Sequence, residues 1–358
     1  MSGADRRVDV LWSLPTAGDG AGPGRRHRGG WDPSSAPAVV APVRDDRGDR
    51  FTYADYLTQI ARGAQATGYR GIALADDPGG EDPWVLGAAL AREAPRLDVL
   101  TEFSPAIGNP VYAAKMAATF QRFSQGRQRW QLRLEDGVPA GRRHARVAEF
   151  LTVARGVWQG SFDHEGRWFT VRGGGFDPKL TADGFPAVHL SGESDDDLEL
   201  VAAHADVHVV DVAGLPHLQA TFARLDALAG RYDRRVRHAV RLSILARDDE
   251  AEAWGDLADR WSAYAAAAGS PRGSIDDHRV SDVVFRGFGR IGHAAPAGLV
   301  GSYERVADVL QLLIDNGVDT FIVGATPSLE EVYHLGERLL PRLSAHIHHA
   351  RPARPVAV

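Results

Sequence analysis

The segment SGESDDD, residues 191–197, joins a short apolar run to a helical pattern. Gly192 and Ser194 stand just before the first helical turn, where free backbone N–H groups and the helix dipole attract an anion such as a phosphate. Glu193 and three consecutive aspartates crowd the same turn, and their charges repel a phosphate. Ser194 is also a good helix N-cap, because its hydroxyl accepts a hydrogen bond from a free N–H group. The turn is therefore open to two interpretations, an anion cradle formed by Gly192, Glu193 and Ser194 or a simple helix cap.

Other residues whose types could support chemistry lie in or next to apolar runs. Arg241 interrupts such a run, and a buried arginine must be paired with an acid or directed toward a site. His293 lies in a glycine-rich stretch and is a candidate acid or base, because histidine titrates near neutral pH. Trp12 and Phe103 could line a pocket or pack in the core. Glu102, next to Phe103, could be catalytic or could pair with a basic neighbour.

Composition excludes several kinds of site. The chain has no cysteine, which rules out disulfides, thiolate metal sites and thiol nucleophiles. Histidines cluster at 204–217 and 346–349, but their spacing matches no standard metal-binding helix, so no metal is expected. The 41 basic and 47 acidic residues are interspersed, so neither a nucleic acid nor a membrane is an expected partner. No apolar run approaches the ~20 residues of a membrane span, and the N-terminus lacks a signal-peptide core, so a cytoplasmic protein is expected.

Short apolar runs alternate with helical patterns along the chain. Eight runs are predicted strands, and most end in polar or glycine-containing turns, which is typical of parallel strands buried on both faces. Their ranges are 8–14, 71–75, 97–103, 129–134, 187–191, 206–212, 239–246 and 319–325. Helical patterns such as 53–70 and 302–319 lie between them. This alternation predicts an α/β fold of the TIM-barrel, or (β/α)8, type with insertions after barrel strands.

Three segments interrupt the alternation. Residues 17–50 form a long loop rich in Gly, Pro, Arg and Asp, and residues 268–298 form a partly glycine-rich insertion before the last helix. Long loops after barrel strands lie on the face where barrels bind ligands, so both segments are candidate lids. Surface insertions without a function are the alternative. We expect a single domain over residues 1–343 and a mobile tail at 344–358.

Several segments, in colinear order, carry a family resemblance. They include LWSLPTAGDG (11–20), EDPWVLGAAL (81–90), NPVYAAKMAATFQRFSQGR (109–127), SGESDDDLELVAAHADVHV (191–209) and LVGSYERVADVLQLLIDNGVDTFIVGATPSLEEVYHLGERLLPRL (299–343). Each motif alone is weak, but together they are specific. The chain resembles the bacterial luciferase-like superfamily of flavin-dependent monooxygenases, and within it the alkanesulfonate monooxygenase family most closely.

The resemblance implies a TIM barrel that binds reduced FMN (FMNH2), receives it from a separate NAD(P)H:FMN reductase and uses O2 to oxygenate an organic substrate. The flavin would perform the oxygenation chemistry, while the protein places the substrate and keeps water away. The turn at 192–194 would hold the flavin phosphate in such a protein. We also expect a homo-oligomer.

The chain departs from the sulfonate-oxygenating pattern at several positions. Gly80 replaces a cysteine, Ser104 replaces an arginine, Ser243 replaces a histidine, Gly292 with His293 beside it replaces an arginine of a lid loop, and Thr326 and Ser328 replace a tyrosine and a histidine. Arg241 is retained. With one of three arginines left, the resemblance does not carry over a cationic clamp for a sulfonate, and a more neutral pocket is expected.

These departures shape the functional expectation. The chain is expected to be an FMNH2-dependent monooxygenase acting on a small or medium organic molecule other than a simple alkanesulfonate, with a place in specialised metabolism. The expected site residues are Arg241, Ser243 and His293 for catalysis, Ser104 with 192–194 for the cofactor, and Trp12, Phe103 and Thr326 for the substrate. Two alternatives stay open: a barrel that uses the deazaflavin F420 or no flavin, and a non-catalytic paralogue that serves as a binding or partner subunit.

Overall fold

A computed structural model of the chain describes residues 7–17, 52–77, 79–134, 139–176, 178–268, 273–326, 328–344, 346–347 and 351. Within these residues the helices are α1 (Tyr53–Ala66), α2 (Pro83–Glu93), α3 (Pro110–Ser124), α4 (Ala140–Gln159), α5 (Asp195–His204), α6 (Leu215–Arg231), α7 (Glu250–Ala268), α8 (Tyr303–Asp315) and α9 (Ser328–His334). The strands are β1 (Arg7–Leu14), β2 (Gly71–Leu74), β3 (Asp98–Phe103), β4 (Gln128–Leu132), β5 (Phe162–Glu165), β6 (Thr170–Gly174), β7 (Ala187–Ser191), β8 (Val207–Asp211), β9 (Arg237–Arg247), β10 (Val284–Phe285), β11 (Gly298–Ser302), β12 (Val318–Gly324) and β13 (His346–Ile347).

Eight parallel strands form a closed barrel flanked by helices. They are β1, β2, β3, β4, β7, β8, β9 and β12. These are the eight strands that the sequence predicted, and each observed end lies within two residues of the predicted one. Burial of whole strands, as in Gly71–Leu74, explains why their sequences read as unbroken apolar runs. The predicted TIM-barrel fold is confirmed.

The chain divides into two compact units. Unit 1 contains residues 1–97, 211–215 and 239–358, and its strands follow the order β11, β9, β12, β1, β2. Its first helix, α1, begins at Thr52, whose side chain accepts a hydrogen bond from the Asp55 N–H in a capping box. Such a box satisfies N–H groups that otherwise lack partners in the first turn, which explains why the helix begins there.

Unit 2 contains residues 98–210 and 216–238, and its strands follow the order β3, β4, β7, β8. A separate antiparallel hairpin joins β5 to β6. Aromatic side chains form much of the core of unit 2, with ring centroids 5.1 Å apart for Phe103 and Trp130 and 6.4 Å apart for Trp130 and Phe150. The Phe103 and Trp130 rings pack edge-on, an arrangement that aromatic pairs prefer and that favours a fixed position for these large side chains.

The insertion predicted at 268–298 is folded where the structure describes it. β10 pairs antiparallel with β11, and β11 runs parallel to β9. Phe285 and Phe288 are buried in a hydrophobic cluster with Trp261 of α7. The described part of this candidate lid therefore packs its buried hydrophobic side chains against α7. The sequence did not predict β11, because GLVGS is short and its two glycines weaken the strand signal.

Parts of the predicted insertions and tail lie outside the described residues. These include 18–50 of the long loop and 269–272 of the candidate lid. Within the predicted tail, His346–Ile347 forms β13 and pairs in parallel with β1. The Arg351 N–H donates to the Arg96 carbonyl at 2.9 Å. None of the described helices is long and apolar enough to cross a membrane.

Candidate functional site

A cavity of about 220 Å³ opens in unit 1 at the carboxyl ends of β1 and β12. The carboxyl ends of barrel strands are where TIM-barrel enzymes collect their functional groups. The uncharged polar side chains of the lining are hydroxyls and one imidazole, from Ser13, Thr16, Ser243, His293, Thr326 and Ser328. Among the described lining residues, Asp77 is the only acidic or basic side chain apart from that imidazole. The volume is below the roughly 300 to 1,000 Å³ of pockets that enclose drug-sized ligands, so these walls suit a small group.

Two predicted catalytic residues meet in this cavity. Ser243 is fully buried, and its hydroxyl donates to the Ala295 carbonyl at 3.0 Å. His293 is buried beside the ring of Phe288, with ring centroids 4.8 Å apart. Burial, and secondarily the charge of Arg260, lower the pKa of His293 to about 3. The imidazole is therefore neutral at physiological pH, and the pair supplies uncharged hydrogen-bonding groups.

Trp12 supports the cavity from behind. Its side chain is fully buried, with its ring 5.4 Å from that of Tyr69, and its Nε1 donates to the Ser328 hydroxyl at 2.9 Å. Successive side chains of a strand point to opposite faces, so Ser13 lines the cavity while Trp12 does not. Thr326, a predicted substrate-binding residue, lies in the lining of this cavity. Trp12 reaches the cavity through Ser328.

Arg241 is paired with an acid. It lies two residues before Ser243, so both side chains belong to the same face of β9. Its Nε donates to Asp211 Oδ1 at 2.8 Å, and 34% of the Arg241 side chain and 37% of the Asp211 side chain are exposed. The carboxylate neutralises the one arginine that the sulfonate pattern retains, which leaves less positive charge for an anionic ligand.

A network of paired charges joins three elements, two of which contribute residues to this cavity. Arg247, at the end of β9, lies 2.6 Å from Glu331 of α9 and 2.5 Å from Asp256 of α7. Arg260 lies 2.9 Å from the same aspartate. Glu331 is almost fully buried, and α9 begins at Ser328 in the cavity lining. The network therefore joins β9, α7 and α9, and none of its four residues belongs to the described cavity lining.

The SGESDDD turn lies in unit 2, between β7 and α5. Ser194 is the N-cap of α5 and forms a capping box with Asp197. The Ser194 hydroxyl accepts from the Asp197 N–H at 3.2 Å, and Asp197 Oδ2 accepts from the Ser194 N–H at 3.2 Å. The Ser194 hydroxyl also donates to Asp197 Oδ2 at 2.6 Å. Of the two interpretations of this turn, the structure shows the helix cap.

The carboxylate of Asp197 is buried and held from several sides. Its Oδ1 lies 2.6 Å from Nε2 of His144 and 3.9 Å from a guanidinium nitrogen of Arg143, both on α4. Gly192 has a φ of +127°, and a Cβ at that position would lie 2.4 Å from Asp197 Cγ. Glycine is required there because it permits both this backbone conformation and the close approach of the carboxylate.

The other acidic side chains of the turn are exposed. Glu193 pairs with His217, and Asp195 pairs with Arg224, both basic residues being on α6. Asp196 is exposed in the same first helical turn. Acidic residues in the first turn favour the helix through its dipole, even without partners. The turn as a whole is negative, and a single carboxylate, that of Asp197, occupies its centre.

A family model described as luciferase-like monooxygenase matches residues 35–333, which include β9, β12 and the SGESDDD turn. The chain belongs to the luciferase-like monooxygenase family. This membership confirms the resemblance and the enzyme class, flavin-dependent monooxygenases. The closer link to the alkanesulfonate branch stays a prediction.

Solved structures share the family fold. A riboflavin lyase, determined with a modified FMN and riboflavin, is 18% identical with a TM-score of 0.71 over 94% of this chain and 91% of that one. The EDTA monooxygenase from Chelativorans sp. BNC1 is 18% identical with a TM-score of 0.67 over 94% and 93%. An F420-dependent secondary alcohol dehydrogenase is 13% identical with a TM-score of 0.64 over 94% and 99%. At these identities the similarity shows the fold alone.

The luciferase-like resemblance led us to expect a flavin phosphate at 192–194, and the residues there do not fit one. Both donors of Ser194, its N–H and its hydroxyl, are directed at Asp197 Oδ2. A phosphate would have to displace this buried carboxylate or lie against its negative charge, which is unfavourable. The turn is complete without a ligand.

The remaining predicted residues lie in unit 2. Phe103 is 2% exposed and belongs to the aromatic core with Trp130. Ser104 is half-buried, and its hydroxyl accepts a backbone N–H at 3.1 Å to cap a short turn. Glu102 accepts a hydrogen bond from Gln131 at 2.8 Å. These contacts give Phe103 and Ser104 structural roles and give Glu102 a neutral partner.

Two residues that decide the chemistry of the turn were not predicted. In the sequence, Asp197 stands out only as one of three aspartates whose charge repels a phosphate, although the S-x-x-D spacing from Ser194 is a usable signal for a capping box. His144 lies 53 residues from Asp197, and no local pattern connects the two. Within the described ranges, no group of three or more His, Asp or Glu side chains is arranged to hold a metal ion.

Proposed function

We propose that the chain is a two-component monooxygenase that uses FMNH2 and O2 to oxygenate a small or medium organic molecule other than an alkanesulfonate. A separate NAD(P)H:FMN reductase would supply the reduced flavin, and the enzyme would act as a homo-oligomer. Membership of the luciferase-like monooxygenase family supports the reaction class. The neutral cavity of unit 1 supports the substrate class, and it is the observation that carries the proposal.

The lining of this cavity favours an uncharged substrate group. A sulfonate is best held by arginine, which offers several charged donors in a fixed geometry. The described lining contains no arginine or lysine, and Asp77 adds negative charge. Arg241, on the face of β9 that carries Ser243, is paired with Asp211. An alcohol, ketone or ether oxygen would find uncharged partners here, whereas a sulfonate would lack a counter-charge.

The chain's own residues would bind and orient this substrate. Ser13 and Thr326 present hydroxyls that can both donate and accept hydrogen bonds, whereas the Thr16 hydroxyl already donates to the Ala75 carbonyl at 3.1 Å and can only accept. The neutral ring of His293 donates from one nitrogen and accepts at the other. Trp12 fixes the Ser328 hydroxyl by donating to it. Oxygenation itself is chemistry that a bound reduced flavin supplies.

Cofactor binding tests the proposal. The full chain would be titrated anaerobically with FMNH2, oxidised FMN and reduced F420. We expect FMNH2 to bind more tightly than FMN, with a Kd well below about 1 mM. Binding of F420 without FMNH2 would replace the proposal with the deazaflavin alternative. Failure of all three to bind below about 1 mM would favour a non-catalytic binding or partner subunit.

Substrate charge provides a second test. With FMNH2 regenerated by an FMN reductase, octanesulfonate should release sulfite far more slowly than the ~1 per second typical of enzymes on their own substrates. The physical reason is the missing counter-charge in the cavity lining. Sulfite release at or above about 1 per second would show that the neutral cavity does not set the substrate class.

A further inference from the structure

We infer that Asp197 is an internal anion that takes the place of a ligand phosphate at the N-terminus of α5, so that the SGESDDD turn does not select phosphorylated over unphosphorylated flavins. The consequence for flavins rests on the proposed function. The occupation of the turn by Asp197 does not, and it is tested below without any flavin.

The hydrogen-bond donors of the SGESDDD turn already have acceptors within the chain. A phosphate at a helix N-terminus is held by backbone N–H groups and by the hydroxyl of the capping residue. Here the Ser194 N–H and hydroxyl lie 3.2 and 2.6 Å from Asp197 Oδ2. The Asp197 N–H, a further donor of the first turn, is bonded to the Ser194 hydroxyl at 3.2 Å. Two donors that would recognise a phosphate therefore already serve one carboxylate, and a third serves the Ser194 hydroxyl.

The space next to Gly192 is already filled by the Asp197 side chain. The Asp197 side chain lies against the backbone of Gly192, where even a methyl group would be 2.4 Å from the carboxylate carbon. The carboxylate is buried, as is its partner His144. A phosphate group is larger than a carboxylate, so it cannot share this space. It could enter only if Asp197 moved out and left the His144 contact.

The charge of the Asp197 carboxylate also opposes the binding of a phosphate. His144 lies at 2.6 Å and Arg143 at 3.9 Å from Asp197 Oδ1, so the basic groups that face the turn from α4 contact the carboxylate. Burial tends to raise the pKa of Asp197, but hydrogen bonds from Ser194 and His144 outweigh it and lower that pKa below its usual value of 3.8. The carboxylate is therefore charged at neutral pH and opposes a second anion.

Exposed acidic residues next to the turn add to the repulsion of a phosphate. Glu193 and Asp195 carry negative charge next to the turn, and their basic partners, His217 and Arg224, are exposed residues of α6. Exposed charges are screened by water and salt, so this contribution is smaller than that of Asp197. The exclusion of phosphate from the turn is therefore assigned to Asp197, and Asp196, which is exposed in the same helical turn, offers a matched control.

Thermal unfolding in inorganic phosphate tests the inference. Melting temperatures of the full chain would be compared in about 20 mM phosphate and in chloride of equal ionic strength, because ionic strength alone alters exposed charge interactions. A ligand that binds the folded state raises the melting temperature. We expect less than about 0.5 °C of difference for the wild type and for Asp196→Ala, and a saturable rise of about 2 °C or more for Asp197→Ala.

Two results would overturn the inference. One is saturable stabilisation of the wild type by phosphate that Ser194→Ala removes, because this would place phosphate at the turn with Asp197 present. The other is an Asp197→Ala response no larger than that of Asp196→Ala, because the carboxylate would then not occupy an anion site. If Asp197→Ala does not fold, Asp197→Ser replaces it under the same criteria, since its hydroxyl keeps an uncharged partner for Ser194. Failure of flavin to bind would affect only the proposed function.

Discussion

The cavity of unit 1 and the SGESDDD turn of unit 2 both lie where barrel strands end, yet they handle charge in opposite ways. In unit 1 the charges of Arg247, Glu331 and their partners are paired with one another outside the cavity lining, and the described lining is almost entirely neutral. In unit 2 the centre of the turn is a carboxylate, Asp197, and the hydrogen-bond donors converge on it.

The difference shows that the position of a strand end does not by itself make a ligand site. What matters is whether the polar groups at that end already have partners. Ser13 and Thr326 present hydroxyls to an open cavity, whereas Ser194 directs its hydroxyl to a residue of its own helix. A ligand can therefore add hydrogen bonds in the cavity but must break them at the turn.

The largest expected effect concerns the paired charges outside the cavity lining. Glu331→Gln removes the charge that faces Arg247 at 2.6 Å in a buried setting. Arg247 then keeps Asp256 but loses the more deeply buried of its two carboxylates, which should lower the free energy of unfolding by about 3 kcal/mol. The control is Glu337→Gln, at an exposed glutamate that follows α9, with an expected change below about 0.5 kcal/mol. Urea unfolding of the two variants checks the difference, and equal losses would contradict the role given to the network.

A smaller effect is expected at the turn. Asp197→Ala removes the capping box and the contact with His144, which together should lower the free energy of unfolding by about 2 kcal/mol. Asp196→Ala makes the same change of charge at an exposed position and should cost less than about 0.5 kcal/mol. Urea unfolding distinguishes the two. A loss common to both variants would mean that the turn acts only through its total charge.

The ring of His293 gives a pH-dependent prediction for the cavity. Burial lowers its pKa to about 3 in the folded chain, against 6.5 for an unperturbed histidine. The unfolded chain therefore binds a proton that the folded chain does not, so this contribution to stability is complete above pH 6.5 and is lost as pH falls toward 3. Relative to His293→Gln, the wild type should lose about 1.4 kcal/mol of unfolding free energy per pH unit below 6.5. Parallel pH profiles of the two proteins would contradict a buried neutral ring.

The barrel could be predicted from the sequence because burial on both faces leaves a strong local mark. The runs at 71–75 and 187–191 are short, apolar and followed by turns, so their strands could be placed within two residues. β11 could not be predicted, because Gly298–Ser302 has little strand propensity and is held by pairing with β9 and β10. Its existence depends on contacts that are distant in sequence.

The site could be predicted only in part, for a related reason. Ser243, His293 and Thr326 were identified and do line the cavity. Arg241 and Ser194 each had two interpretations, and the outcome depended on a partner elsewhere in the chain. Arg241 found Asp211, and Ser194 belongs to a cap that His144 completes. Sequence patterns identify a residue's chemical options, whereas tertiary contacts determine which option is used.

The affinity ratio of FMNH2 to reduced riboflavin tests the contrast between the two regions most directly. The two ligands share the same ring system and differ in the phosphate, so the ratio isolates what the phosphate contributes. If the turn is filled by Asp197, the two Kd values should agree within about threefold, and Ser194→Ala should leave the ratio unchanged. A preference for FMNH2 of more than about tenfold that Ser194→Ala abolishes would contradict the account, because the turn would then be holding the phosphate.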